Sequence, residues 1–72
     1  LHRQTLVGLK LGDKNEEERE LQQLLRTHGQ DIPIDGIFNK ITEKALKDFL
    51  QAQKFYPSGQ VDENSLRKLI GL

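Results

Sequence analysis

The chain has no cysteine. Disulfides, thiolate metal sites and thiol nucleophiles are therefore excluded, and nothing covalent staples the fold. An excess of one charge is missing as well: Lys and Arg total 11, Asp and Glu total 11, and the net charge is zero. Nucleic-acid binding usually shows itself as a basic excess, so no nucleic-acid partner is expected. No apolar run approaches the ~20 residues of a membrane-spanning helix, so no membrane span is expected. Residues 1–11 carry an early basic pair, His2-Arg3, but no continuous apolar stretch or cleavage site of a signal peptide. The chain begins with Leu and is taken as a piece of a longer protein, with any targeting signal lying upstream. At 72 residues it makes one domain with a thin core.

What the sequence does have is a turn feeding a helix, written twice. The first copy is Asp35-Gly36-Ile37-Phe38-Asn39-Lys40-Ile41-Thr42-Glu43-Lys44-Ala45-Leu46. Asp35-Gly36 is a turn dipeptide, because Gly accepts the positive φ such turns often need. Asn39 is placed to cap a helix by accepting an unpartnered first-turn N–H. Thr42, three residues on, can reach back to the cap with its hydroxyl, a weaker form of the reciprocal capping box. The second copy is Ser58-Gly59-Gln60-Val61-Asp62-Glu63-Asn64-Ser65-Leu66-Arg67-Lys68-Leu69. In it Gly59 answers Gly36, Val61 answers Phe38, Asp62 answers Asn39, Ser65 answers Thr42 and Leu69 answers Leu46. Two copies are too few for a solenoid, which needs about three. They predict a small, internally duplicated helical domain.

Taken in order, residues 1–8 read as a linker or N-terminal extension and 9–72 as the domain. Alternation of Val7, Leu9 and Leu11 predicts a short extended segment, which Gly12-Asp13 turns. Asn15 caps a helix over 16–28, with Glu18 as its capping-box partner. Glu16, Glu17 and Glu18 sit in its first turn, where the helix dipole favours anions. Leu21, Leu24 and Leu25 form its apolar stripe, and Gly29 ends it. Residues 30–34 form a loop in which Pro33 pushes Ile32 toward extended geometry. A second helix over 40–53 turns Ala45, Leu46, Phe49 and Leu50 inward, with Gln53 at the margin. Pro57 prevents its continuation. A third over 63–70, capped by Asp62, turns Leu66, Leu69 and Ile70 inward. The fold class is all-α, a small three-helix bundle with ordered loops. Phe38, Phe49 and Phe55 are expected to contribute most to its core.

The ordered set Leu11-Gly12-Asp13, Glu20-Leu21-Gln22-Gln23-Leu24-Leu25, Gly29, Ile34-Asp35-Gly36-Ile37-Phe38, Thr42, Ala45-Leu46, Phe49, Gly59, Val61, Ser65 and Leu69 resembles the bacterial peptidoglycan-binding domain of the three-helix type. The likeness runs from about Leu9 to Leu72. It implies a non-catalytic module of the cell envelope or of a secreted protein, which anchors a fused cell-wall hydrolase to peptidoglycan. The same fold also serves secretion and envelope-assembly proteins. The chain departs from the family pattern at several positions. Asn39 stands where Gly is usual, Lys40 where Pro is frequent, and Leu50 where Gln follows Phe. Glu18 replaces an early apolar residue, Lys54 a helix-ending Gly, and Ser58-Gly59 an Asp-Gly turn.

The residues expected to meet a ligand are Asp35, Gly36, Asn39, Lys40, Thr42 and Tyr56. Most surround the start of the second helix, where N–H groups converge and an anion such as a stem-peptide carboxylate can bind. The plainer reading is that Asn39 already satisfies those groups. Asp35 and Glu43 are two carboxylates near one turn, a pattern that acid–base chemistry on a glycosidic bond uses; turn chemistry and dipole complementarity explain them more simply. Phe55 reads as core, while Tyr56 reads equally as a cover for its edge or a sugar-stacking surface. His2 and His28 are the only histidines, and no cluster has metal-ligand spacing, so neither metal nor cofactor is expected. His28 reads as a helix-end residue bonding the last carbonyls. No nucleophile–base pair or phosphate loop is present, and no enzyme activity is expected. The domain is expected to hold glycan or stem peptide as a monomer, in a shallow groove between the loop 30–38 and the start of the second helix, through backbone N–H groups, Asn39, Thr42 and Tyr56. The alternative is a protein-interaction module of an envelope, secretion or phage-like assembly, which an exposed Leu50 would favour. A metalloprotease prodomain would need a cysteine, and a DNA reader would need a basic helix.

Overall fold

The computed structural model describes residues 6–71. Three helices form: α1 over Glu16–Thr27, α2 over Lys40–Ala52 and α3 over Glu63–Leu69. Each stops one residue short of its expected end, because His28, Gln53 and Ile70 serve as C-caps. Among the described residues there is no strand and no helix long and apolar enough to cross a membrane.

The buried side of α1 is Glu18, Leu21, Gln22 and Leu25. That spacing of three, four and seven is a helical stripe, but two of its members are polar. Leu24, expected in the stripe, packs at the edge of the core. α2 buries Thr42, Ala45, Leu46, Phe49 and Leu50, and α3 buries Ser65, Leu66 and Leu69. Phe38 and Phe49 lie in the core, whereas Phe55 packs against it half-buried. Full burial of side chains such as Leu46 and Phe38 contributes about 2 kcal/mol each.

The N-terminal segment does not follow the alternation expected of a short extended segment. Its buried residues are Leu6 and Leu9, while Val7 and Leu11 are exposed. A turn explains the change of period: the Leu9 amide donates to the Leu6 carbonyl, and Gly8 takes φ +96°. Of the extension expected over residues 1–8, residues 1–5 lie outside the described residues and Leu6 is in the core.

This segment joins the two copies of the repeat. Phe38 donates its N–H to the Asp13 carbonyl at 2.8 Å and accepts from the Gly12 amide at 2.9 Å. Val61 does the same one step earlier, donating to Leu9 at 2.9 Å and accepting from Gly8 at 2.7 Å. The two apolar anchors that match in sequence are thus clamped by two Gly-containing dipeptides of one segment. Isolated antiparallel bridges, Lys10 with Gln60 and Lys14 with Ile37, continue the same pairing.

Candidate functional site

The turn at Asp35-Gly36 is built around Gln22, which is fully buried. Its Oε1 accepts from the amides of Asp35 at 2.9 Å and Gly36 at 2.8 Å. Its Nε2 faces the Asp35 carboxylate at 2.9 Å, the Ile37 carbonyl at 3.1 Å and the Thr42 hydroxyl at 3.1 Å. One amide therefore ties α1 to the turn and to the first turn of α2. Sequence reasoning overlooked Gln22 because it followed apolar periodicity alone. The signal was its place four residues after Glu18 and three before Leu25.

Gly36 takes φ +78°, and a Cβ there would come within 3.2 Å of the Asn15 carbonyl oxygen. The turn thus demands glycine twice over, through backbone conformation and through space. Gln22 and the Ile37 amide hold the Asp35 carboxyl below the usual carboxylate range, chiefly through the Gln22 hydrogen bond.

The expected ligand residues divide sharply. Asn39 Oδ1 is occupied as the cap, accepting from Ile41 at 3.0 Å and Thr42 at 3.2 Å. Thr42 is buried and its hydroxyl turns to Gln22 and the Ile37 carbonyl, so it does not reach back to the cap. The complete capping box forms in the second copy instead, where Ser65 and Asp62 bond reciprocally. No amide competes for Ser65 as Gln22 competes for Thr42. Gly36 is buried with its N–H bound to Gln22, and Asp35 is exposed beside it. Lys40 is exposed at the helix start. Tyr56 is 84% exposed and borders a different groove.

The capping box expected at Asn15 is half-formed. Asn15 Oδ1 accepts from the Glu18 amide at 2.9 Å. The return bond is absent because the Asn15 amide donates to the Gly36 carbonyl. Glu18 is fully buried, and neither carboxyl oxygen has a hydrogen-bond partner. Burial, assisted by the nearby Asp13 charge, pushes its pKa up to about 8. His28, expected to bond the carbonyls of its own helix, places Nε2 at 2.8 Å from the Leu69 carbonyl and packs its ring on Phe49. It therefore ties the end of α1 to the end of α3.

Open grooves flank this framework, and a pair of them bears on binding. The first, about 230 Å³, lies between the loop after α1 and the exposed side of α2. Gln30, Asp31 and Ile32 form one wall and Ile41, Lys44, Ala45 and Asp48 the other. Ile41 is 54% exposed, and Lys44 pairs with Asp48 at 2.9 Å on the surface. None of the six residues expected to bind lines this groove. The second, about 170 Å³, is lined by Leu50, Phe55, Tyr56, Ser58, Asp62, Asn64 and Ser65. Leu50 is buried at its base, not exposed on the surface as the protein-interaction alternative would favour.

The arrangement of α1, the Gln22-centred turn and two capped helices has a family. The model of the family described as "Putative peptidoglycan binding domain" matches residues 14–69. The chain belongs to this peptidoglycan-binding family. Among solved structures, a Burkholderia AP3 phage endolysin superposes with a TM-score of 0.87 at 25% identity. That match covers 90% of this chain, which spans a quarter of the endolysin's length. The SleB N-terminal domain superposes with a TM-score of 0.81 at 25% identity, over 86% of each chain. No curated protein sequence matches the chain. Among the described residues no group of three or more His, Cys, Asp or Glu side chains is placed to hold a metal ion.

Proposed function

We propose that this domain is a non-catalytic module that binds peptidoglycan and holds a larger cell-wall hydrolase or envelope protein against the wall, acting as a monomer in the bacterial envelope or outside the cell. The observation that carries this reading is the family match over residues 14–69. The likeness to a phage endolysin over a quarter of its length supports the role of an attached module.

The groove between Asp31 and α2 fits the stem peptide best. It offers both signs of charge, Asp31 and Asp48 against Lys44, and an apolar Ile41 for small side chains. A stem peptide is itself amphoteric and short, so paired opposite charges can orient it while a methyl-rich surface excludes water. Lys40 stands exposed one residue before Ile41 and adds positive charge at the same end of α2. Asn39, Thr42, Gly36 and Asp35 act through the scaffold, fixing the helix start that presents Lys40, Ile41 and Lys44.

The test is retention on purified peptidoglycan sacculi by the wild-type domain and by Ile41→Ser and Lys44→Glu. Both positions are exposed, so the variants should fold as the wild type does by circular dichroism. Retention reduced about tenfold in both, at unchanged fold, is the expected outcome for loss of one apolar and one charged contact. Unchanged retention in both would remove the ligand from this groove.

A further inference from the structure

The second groove has a different chemistry. Its floor is apolar, made by Leu50 and Phe55. Its rim carries Tyr56, Ser58, Asp62 and Asn64. Tyr56 is 84% exposed yet set in a well-fixed backbone. On one side α2 ends in a Schellman turn: the Lys54 amide bonds the Gln51 carbonyl and the Phe55 amide bonds the Leu50 carbonyl, both at 2.9 Å. On the other, Pro57 restricts the chain and the Ser58 amide returns to the Tyr56 carbonyl at 2.8 Å. Phe55 packs on the core and anchors the segment. A large aromatic surface is thus held in water on a backbone with little freedom left to lose on binding.

We infer that this groove is a saccharide subsite, with Tyr56 as the stacking platform for one N-acetylated sugar ring of a neutral glycan. Pyranose rings present a face of C–H groups carrying partial positive charge, which complements the negative face of an aromatic ring. The edges of the same sugar carry hydroxyl and acetamide groups. The side-chain amide of Asn64, a residue exposed in the first turn of α3 with its backbone N–H on Asp62, can donate and accept there. Ser58 donates its hydroxyl proton to the Gln60 carbonyl and keeps acceptor capacity. Asp62 and Ser65 satisfy each other and supply wall rather than donors.

Charge selects among ligands. Asp62 is the one ionisable acid lining the groove, and the Ser65 hydrogen bonds hold its carboxyl below the usual range. A fixed negative charge with no cation among the lining residues disfavours phosphate and carboxylate groups. The free carboxylates of a stem peptide therefore go elsewhere, and a neutral amino-sugar ring fits. At about 170 Å³ the groove is smaller than the ~300 Å³ of a drug-sized site, so a polymer would cross it and leave one ring inside. This subsite deepens the peptidoglycan-binding reading and rests on it, dividing glycan and stem peptide between two faces.

The test is a titration of the 15N-labelled domain with the β-1,4-linked tetramer of N-acetylglucosamine, followed by amide shifts, beside sacculus retention of the same samples. Shifts centred on Tyr56, Ser58 and Asn64 are expected, with affinity lowered about fivefold to tenfold in Tyr56→Ala and largely kept in Tyr56→Phe. A stem tripeptide should leave these amides unmoved. Tetramer shifts absent or centred on Ile41 and Lys44, or a Tyr56→Ala variant that binds as the wild type does, would overturn the subsite. Sacculus retention by the wild type in that case would leave the general peptidoglycan reading standing. Specific tetramer shifts without sacculus retention would remove the wall-anchoring role and keep the subsite. A proline-rich peptide that moves the same amides more strongly than the tetramer does would overturn the saccharide assignment.

Discussion

Glu18 is a carboxyl in a place made for a methyl group. Its burial without a hydrogen-bond partner favours the neutral acid, which raises the folded-state pKa from an ordinary 4.5 to about 8. Between those values the folded chain holds a proton that the unfolded chain has released. Stability therefore falls as pH rises from about 5 to 8, by at most about 1.4 kcal/mol per pH unit. Asp35 and Asp62 act in the opposite sense, since their lowered pKa values remove stability as pH falls through the acid range. Thermal melts across pH should show greatest stability near pH 5, and Glu18→Gln should flatten the limb from 5 to 8. Glu18→Leu should also raise stability at pH 8, by about 1–3 kcal/mol, by removing an unsatisfied buried group. A limb that stays steep in Glu18→Gln would show that another group titrates. Gln22 is the contrasting case, a buried polar group with five hydrogen bonds. Gln22→Leu strands the Asp35 and Gly36 amides and should cost about 3 kcal/mol in denaturant unfolding. Neither residue's environment was legible in the sequence. Glu18 looked like a capping partner and Gln22 entered only as part of a family motif, because burial of a polar side chain depends on what folds over it.

The helices themselves were legible, since caps and apolar spacing are local. Asn15, Asn39 and Asp62 cap where expected, and Gly29 ends α1 with φ +98°. α2 ends with the same Schellman bonding, but its left-handed residue is Lys54 at φ +64°. A side chain in that conformation costs about 1–2 kcal/mol, part of which glycine returns through its freer unfolded state. Lys54→Gly should thus raise the melting midpoint by a few degrees, for a gain of about 0.5–1 kcal/mol. A lower midpoint would mean that the lysine side chain contributes more than its backbone strain removes. The N-terminal segment was harder to read, because its structure comes from two non-local clamps, Gly12-Asp13 on Phe38 and Gly8-Leu9 on Val61. A chain shortened to begin at Leu9 loses Leu6 from the core and the Gly8–Val61 bond. It should be destabilised by about 2–5 kcal/mol, the range for deleting a buried leucine side chain. Equal stability of the short and full chains would show that the segment only rests on the domain.

At the scale of the whole molecule, the two copies of the turn-and-helix unit have separated in role. The first is locked by Gln22 and presents Lys40, Ile41 and Lys44 beside one groove. The second is locked by its own capping box and leaves Tyr56 beside the other. A groove beside the start of α2 was expected from the family resemblance and the convergence of N–H groups there, and the lining of the groove near α2 was not legible. Asn39, Thr42 and Gly36 were expected at the ligand for the polar groups of the helix start, and the scaffold uses those groups in capping and turn bonds. The most direct measurement is retention of the wild-type domain on purified, protein-free peptidoglycan sacculi at low and high salt, against an unrelated neutral domain. Two grooves that combine apolar, stacking and polar contacts predict retention above the control at both salts, with a modest decrease at the higher one. Retention no better than the control at either salt would contradict the account of this domain as a wall-binding module.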